Sequence, residues 1–141
     1  MIDKRHTGAA LNWLSLALGH LAASRSRAGK HRRPRIAAVH ANQAAVMALK
    51  GAIALSDADP PRTSDLDELR RALPAIWLFN RRSTDLTRLS SYGIEIAYPG
   101  GPTPISPLES ATAVRQAMSV VRVVREGFER RGVSTEDVEA G

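Results

Sequence analysis

Leu11, Leu14, Leu18 and Leu21 recur every three or four residues, the spacing that lays one apolar stripe along a helix. The pattern predicts a first helix from about Thr7 to Ser26, with Trp13 and His20 beside the stripe. A basic connector from Ser24 to Pro34 follows, in which Gly29 and Pro34 break the helix. A second helix is expected from about Arg35 to Leu55, rich in alanine, the strongest helix former. Val39, Val46, Leu49 and Ile53 make its apolar stripe. The neighbouring stripe reads His40, Gln43, Met47 and Lys50, a line of polar groups interrupted once.

After Pro60 and Pro61, a short third helix is expected from about Ser64 to Leu73, with Asp65 and Glu68 in its first turn, where carboxylates suit the helix dipole. Pro74 closes it, and the apolar connector Ala75 to Asn80 should pack on the bundle or on a partner. A fourth helix should start at Ser83 or Thr84 and reach about Ala97. The loop Tyr98 to Ile105 carries Pro99, Pro102 and Pro104 and cannot be helical. Ser106, Pro107 and Glu109 then form a helix-start signal: N-cap serine, proline at the first position, glutamate at the third. The fifth helix should run to about Arg131 with Val114, Met118, Val121, Val124 and Phe128 inward, and Gly132 capping it. Arg122 with Glu126, and Arg125 with Glu129, have the spacing of surface pairs.

No strand alternation competes with these patterns. The expected architecture is all-α: one five-helix domain, residues 1–132, with an up-and-down antiparallel core centred on helices two and five, then a short, acidic, disordered tail, 133–141.

Composition sharpens the picture at three points. Hydrophobic content is 43% but aromatic content only 4%, so Ala, Leu and Val must fill the core, which favours closely packed helices. There is no cysteine, which excludes disulfides and thiolate metal sites, and no His or carboxylate cluster has metal spacing. No apolar run is long enough to span a bilayer and no signal pattern opens the chain, so a cytoplasmic location without membrane contact is expected. The formal charge is +6, and only Lys4, Lys30 and Lys50 among the basic residues are lysines. Arginine suits bidentate phosphate recognition, so an acidic partner is expected, whether RNA, DNA or an acidic protein; a general preference for arginine as surface cation gives the same count.

Two groups of residues carry candidate chemistry. His40, Gln43 and Lys50 can form a polar groove for a nucleotide phosphate, or His40 can pack between helices on a neighbour. Arg25, Arg27, Lys30, Arg32 and Arg33 make the connector a candidate nucleic-acid contact, or simply a solvated loop.

The stretch His40-Ala41-Asn42-Gln43-Ala44-Ala45-Val46-Met47-Ala48-Leu49-Lys50 resembles the signature His-Ala-x-Gln-Ala-Ala-Glu-x-x-Leu-Lys of HEPN domains. Pro61-Arg62-Thr63-Ser64-Asp65-Leu66 resembles that family's Pro-Lys-Thr-His-Asp-Leu, and Tyr92-Gly93-Ile94-Glu95-Ile96-Ala97-Tyr98-Pro99 its Tyr-x-x-Glu-x-Arg-Tyr-Pro. The first helix fits too, through Asn12-Trp13-Leu14 and Leu21-Ala22-Ala23. Three positions depart: Val46, Ser64 and Ala97 stand where the family has an acid, a histidine and an arginine. Each change removes a charge or a hydrogen-bonding ring, which predicts a chemically quieter site.

The resemblance implies a homodimer that binds RNA, nucleotide or a nucleotidyltransferase-type antitoxin, and it adds Asp65 and Tyr98 to His40, Gln43 and Lys50 as ligand-binding candidates. Family members that are ribonuclease toxins use an Arg-x(4–6)-His motif at the start of the last long helix, where histidine moves a proton and arginine holds the phosphate. No histidine follows His40 here, so the motif is absent from its place, which argues against an enzyme. Arg35 with His40, Arg33 with His40 and Arg25 with His31 have that spacing elsewhere in the chain, as an arginine-rich sequence gives by chance. Arg35 with His40, which both begin the second helix, is the pair kept as a catalytic candidate, and neither cofactor nor metal is implied. The readings left are a binding module without hydrolysis, a ribonuclease toxin, and a structural subunit of a larger complex.

Overall fold

The computed structural model describes residues 4–29, 33–77, 85–95 and 104–141. Five α-helices order them: α1 (Lys4–Ala28), α2 (Pro34–Leu55), α3 (Leu66–Arg71), α4 (Thr87–Glu95) and α5 (Pro107–Arg130). A single 3-10 turn, Ala75–Trp77, sits between α3 and α4, and the described residues contain no strand. The domain is therefore an all-α bundle.

α2 is its axis. Alanine and leucine bury it on nearly every side, beyond the single stripe that its larger side chains mark. It packs most extensively on α1, then on α5, with α3 and α4 covering the rest. The antiparallel pair at the centre is thus α1 with α2, not α2 with α5 as the apolar stripes indicate. Its register is fixed by three cross-helix contacts. Ser24 Oγ donates to the Ala37 carbonyl at 2.8 Å, the His20 ring meets that of His40, and the Lys50 ammonium sits 5.6 Å from the Trp13 ring centroid. Ala10, Leu14 and Ala17 from α1 and Ala41, Ala44, Ala45 and Ala48 from α2 are wholly buried, and such small side chains let the two backbones approach closely.

α5 lies on this pair with its C-terminal end beside that of α2, because both ends border Trp77. The indole Nε1 donates to Ser56 Oγ at 2.9 Å, the ring meets Phe128 edge-on at 6.4 Å, and the Arg131 guanidinium stacks 3.9 Å from it. Trp77 is only 3% exposed, so this part of the apolar connector packs on its own bundle. Ile76 beside it is 71% exposed. Leu78 and Phe79 lie outside the described residues.

The start of α5 follows its signal closely: Ser106 is the N-cap and its Oγ accepts from the Glu109 amide at 3.1 Å. α3 is shorter than expected because Asp65 is its N-cap, accepting from the amides of Asp67 and Glu68. α4 begins at Thr87, later than Ser83 or Thr84, because Asp85 Oδ1 accepts from the Thr87 amide and sets the helix start there.

The segment 133–141 departs from the expectation of a frayed tail. Gly132, at φ 79°, ends α5 and turns the chain back. Val133 and Thr135 are buried, Ser15 Oγ donates to the Glu139 carbonyl at 2.6 Å, and the Gly141 amide donates to the Ser15 carbonyl at 2.8 Å. Arg125 and Glu129 serve this contact rather than pairing with each other: Arg125 donates to Thr135 Oγ1 and carbonyl, and Thr135 donates to Glu129. Met118, expected inside, is 40% exposed and borders an open groove between α1 and α5 with Leu18, Leu21 and Val121.

Candidate functional site

The polar stripe of α2 faces α1. His40 and Lys50, at its two ends, are both taken up by α1 partners, His20 and Trp13. Gln43 between them is half-buried. The stripe is therefore an interhelical seam whose open end lies toward the basic connector.

At that end the Nδ1 atoms of His20 and His40 stand 3.0 Å apart, with ring centroids 5.3 Å apart. In such a contact one Nδ1 carries the hydrogen and the other accepts it. Burial lowers the pKa of both rings below the ordinary 6.5. His40 adds to the effect on His20, and the Arg27 guanidinium adds to that on His40. The pair is thus neutral at pH 7 while each ring remains partly open to solvent. Here the Arg33 amide donates to the Arg27 carbonyl at 2.8 Å. Arg25 and Arg33 are exposed, Arg27 and Arg35 half-buried. Lys30 and Arg32 lie outside the described residues.

As the catalytic candidates, Arg35 and His40 share a helix but point apart: five residues at 3.6 per turn turn them well over a quarter turn from one another. The His40 Nδ1 is engaged by His20.

A second polar surface forms on the opposite side of α2. Asn42, 1% exposed, donates through Nδ2 to the Leu89 carbonyl at 3.0 Å, holding α4 against α2. Ser90 Oγ accepts from the Leu66 amide at 3.1 Å, which ties α4 to the start of α3. The result is an open groove of about 560 Å³ lined by Thr63, Ser64, Asp65, Ser90, Ser91 and Gly93 among others. Gly93 lies against both Asn42 and Ser64. Three sequence stretches, around residues 42, 64 and 92, therefore meet at one place. Of the ligand-binding candidates, Asp65 lies in this groove, away from His40 and Lys50, while Tyr98 is outside the described residues.

The convergence of those three stretches matches a comparison with protein families, in which a HEPN domain model covers residues 10–129. The chain belongs to the HEPN family. Comparison with the curated proteins and with the solved structures finds no match. Within this HEPN domain, Val46, which replaces the family's acid, is buried in the core, and Ser64, which replaces its histidine, is exposed at the groove. The core therefore closes over an apolar side chain where a buried charge would need a partner. Ala97 lies outside the described residues.

No group of three metal-ligating side chains comes together among the described residues, and no helix there is long and apolar enough to cross a membrane. Asn42 is the residue that sequence reading passes over. Its signal is a lone amide inside an alanine-rich apolar helix, since a polar group in such a place is buried and needs partners. His20 is legible only as a neighbour of the leucine stripe; its pairing with His40 needs the register of the hairpin.

Proposed function

We propose that this HEPN domain is a binding module that holds the phosphate backbone of RNA at the open end of the α1–α2 hairpin and does not cleave it. The observation that carries this reading is that Arg25, Arg27, Arg33 and Arg35 stand at the same end of the α1–α2 hairpin as a partly exposed His20–His40 pair, with Arg27 near enough to act on His40. Arginines supply phosphate contacts without base selection, and partly exposed imidazoles beside them add donors. Family membership supports a homodimer, with a nucleotidyltransferase-type protein as the further partner.

The same geometry speaks against the ribonuclease reading. General acid–base cleavage needs two groups on either side of the scissile phosphate, each within hydrogen-bond reach of its proton. Two imidazoles bonded to each other at 3.0 Å leave no room for a phosphorus between their Nδ1 atoms. The positions where family members keep an acid and a late histidine carry Val46 and no histidine here.

The test is incubation of the purified protein with a mixed RNA pool, chelator present, read both for retention on the protein and for cleavage. Retention of intact RNA of many sequences is the expected outcome. Cleavage that disappears in His40→Ala would make the chain an enzyme, and absence of any retention at low salt would remove the RNA reading.

A further inference from the structure

Two imidazoles joined through their Nδ1 atoms have a specific proton capacity. In the neutral pair, one ring donates Nδ1–H and keeps a bare Nε2; the other accepts at Nδ1 and carries its hydrogen on Nε2. A proton from solvent added to the bare Nε2 makes the donor ring an imidazolium, leaves the Nδ1–H···Nδ1 bridge in place, and makes that bond charge-assisted. A second proton has only the accepting Nδ1 to go to and breaks the bridge. The pair therefore takes up one proton without loss of the α1–α2 register, and no more.

The surroundings decide when it does so. From α1 come Arg25 and Arg27, and from the start of α2 come Arg33 and Arg35, all cations at the same end of the hairpin. From α5, Arg122, Arg125 and Glu126 line the neighbouring groove beside Leu18 and Leu21. In the free protein Arg27 and burial oppose the extra charge. A phosphate held by the arginines offsets the positive field at the pair, and an imidazolium there adds a donor to it.

We infer that the His20–His40 pair couples phosphate binding to uptake of one proton, so that this domain grips RNA more tightly as pH falls below neutrality. The inference rests on the RNA-binding reading above and names its regulation. An anion that favours the protonated pair must, by linkage, bind more tightly at the pH where the pair is protonated. One proton limits the gain to about tenfold in affinity per pH unit.

The experiment is fluorescence anisotropy with a labelled single-stranded oligouridylate, whose bases do not titrate in this range, at constant ionic strength from pH 8 to pH 5.5. In parallel, NMR follows the imidazole signals of the wild type with and without unlabelled oligouridylate. The expected result is a several-fold rise in affinity per unit fall in pH for the wild type, and an upward shift of the His20 and His40 titration when RNA is bound. His20→Gln/His40→Gln should show a flat profile from pH 8 to pH 5.5, whatever its affinity at pH 8. A double variant with the wild-type slope overturns the inference, as does an imidazole titration unmoved by RNA; the latter needs no variant to fold. RNA binding that depends on the arginines but not on pH overturns this inference alone. No binding at any pH overturns the RNA reading and takes the inference with it.

Discussion

The six-membered ring of Trp77 occupies the space that a Cβ on Gly127 would need, its nearest carbon well inside van der Waals contact of that position. The indole cannot swing away freely, since Ser56, Phe128 and Arg131 hold it on three sides. Glycine inside α5 is thus the condition for seating the connector's indole. Gly127→Ala gains up to about 1 kcal/mol of helix propensity. Forcing the ring or the helix aside costs about 1–3 kcal/mol, so a net loss is expected. Urea unfolding should show a lower midpoint with unchanged slope, and Gly127→Ala combined with Trp77→Leu should cost less than the two single changes added together. A more stable Gly127→Ala protein would show that the ring is not fixed there.

Asn42 sets a second prediction. Its amide is buried and donates to the Leu89 carbonyl from the middle of α2, so its removal deletes a buried hydrogen bond between α2 and the first turn of α4. Asn42→Ala should destabilise by about 0.5–1.5 kcal/mol, the net worth of a typical hydrogen bond. The damage should be local: hydrogen exchange in α4 should accelerate more than in the α1–α2 hairpin, because this bond is a chief tie of the nine-residue α4 to the bundle axis. Equal acceleration in both would place Asn42 in the global core instead.

The α1–α2 hairpin gives the pH dependence of stability. The pKa values of His20 and His40 are depressed in the folded chain, so between the folded values and the ordinary 6.5 the unfolded chain binds more protons. Folding stability therefore falls as pH drops below 6.5, and is insensitive to these rings above it. Thermal melts of the RNA-free protein should show a lower Tm at pH 5.5 than at pH 7.5, and His20→Gln/His40→Gln should narrow that difference. An unchanged difference in the double variant would assign the acid sensitivity to other groups.

Helix positions were legible because each leaves a local mark. Ser106, Pro107 and Glu109 announce α5 within one turn, and the leucines of α1 declare their face. Pairing between helices leaves no such mark. The stripe of Val46, Leu49 and Ile53 does not reveal that α2 is buried on its alanine faces as well, since alanine fits core and surface equally. The tail misleads for a related reason: Glu136, Asp137 and Glu139 read as solvated, while the contact is made by Val133, Thr135 and backbone groups on Ser15. The family motifs make both Asp65 and His40 candidates, but the two end on different sides of α2, which only the packed helices decide.

Salt dependence provides the most direct reading of the basic hairpin end. Binding that rests on phosphate contacts releases condensed counterions, so log K falls linearly with log salt, by about 0.7 per neutralised phosphate on a single strand. Arg25, Arg27 and Arg33 project from the last turn of α1 and the N-cap of α2, where neither helix offers a carboxylate in the adjoining turn. Replacing these three and Arg32 by serine should weaken binding to oligouridylate and to a mixed-sequence RNA by similar factors, and should flatten the slope by about 0.7 for each phosphate that is no longer neutralised. Four serines remove charge without removing core, since Arg25 and Arg33 are exposed and the Arg33-to-Arg27 bond uses backbone atoms alone. The variant should accordingly keep the wild-type melting curve to within a few degrees, which separates weaker phosphate binding from a disrupted fold. Equal slopes in variant and wild type would move the RNA contact elsewhere, with the arginines that rim the α1–α5 groove, Arg122 and Arg125, as the next positions to change.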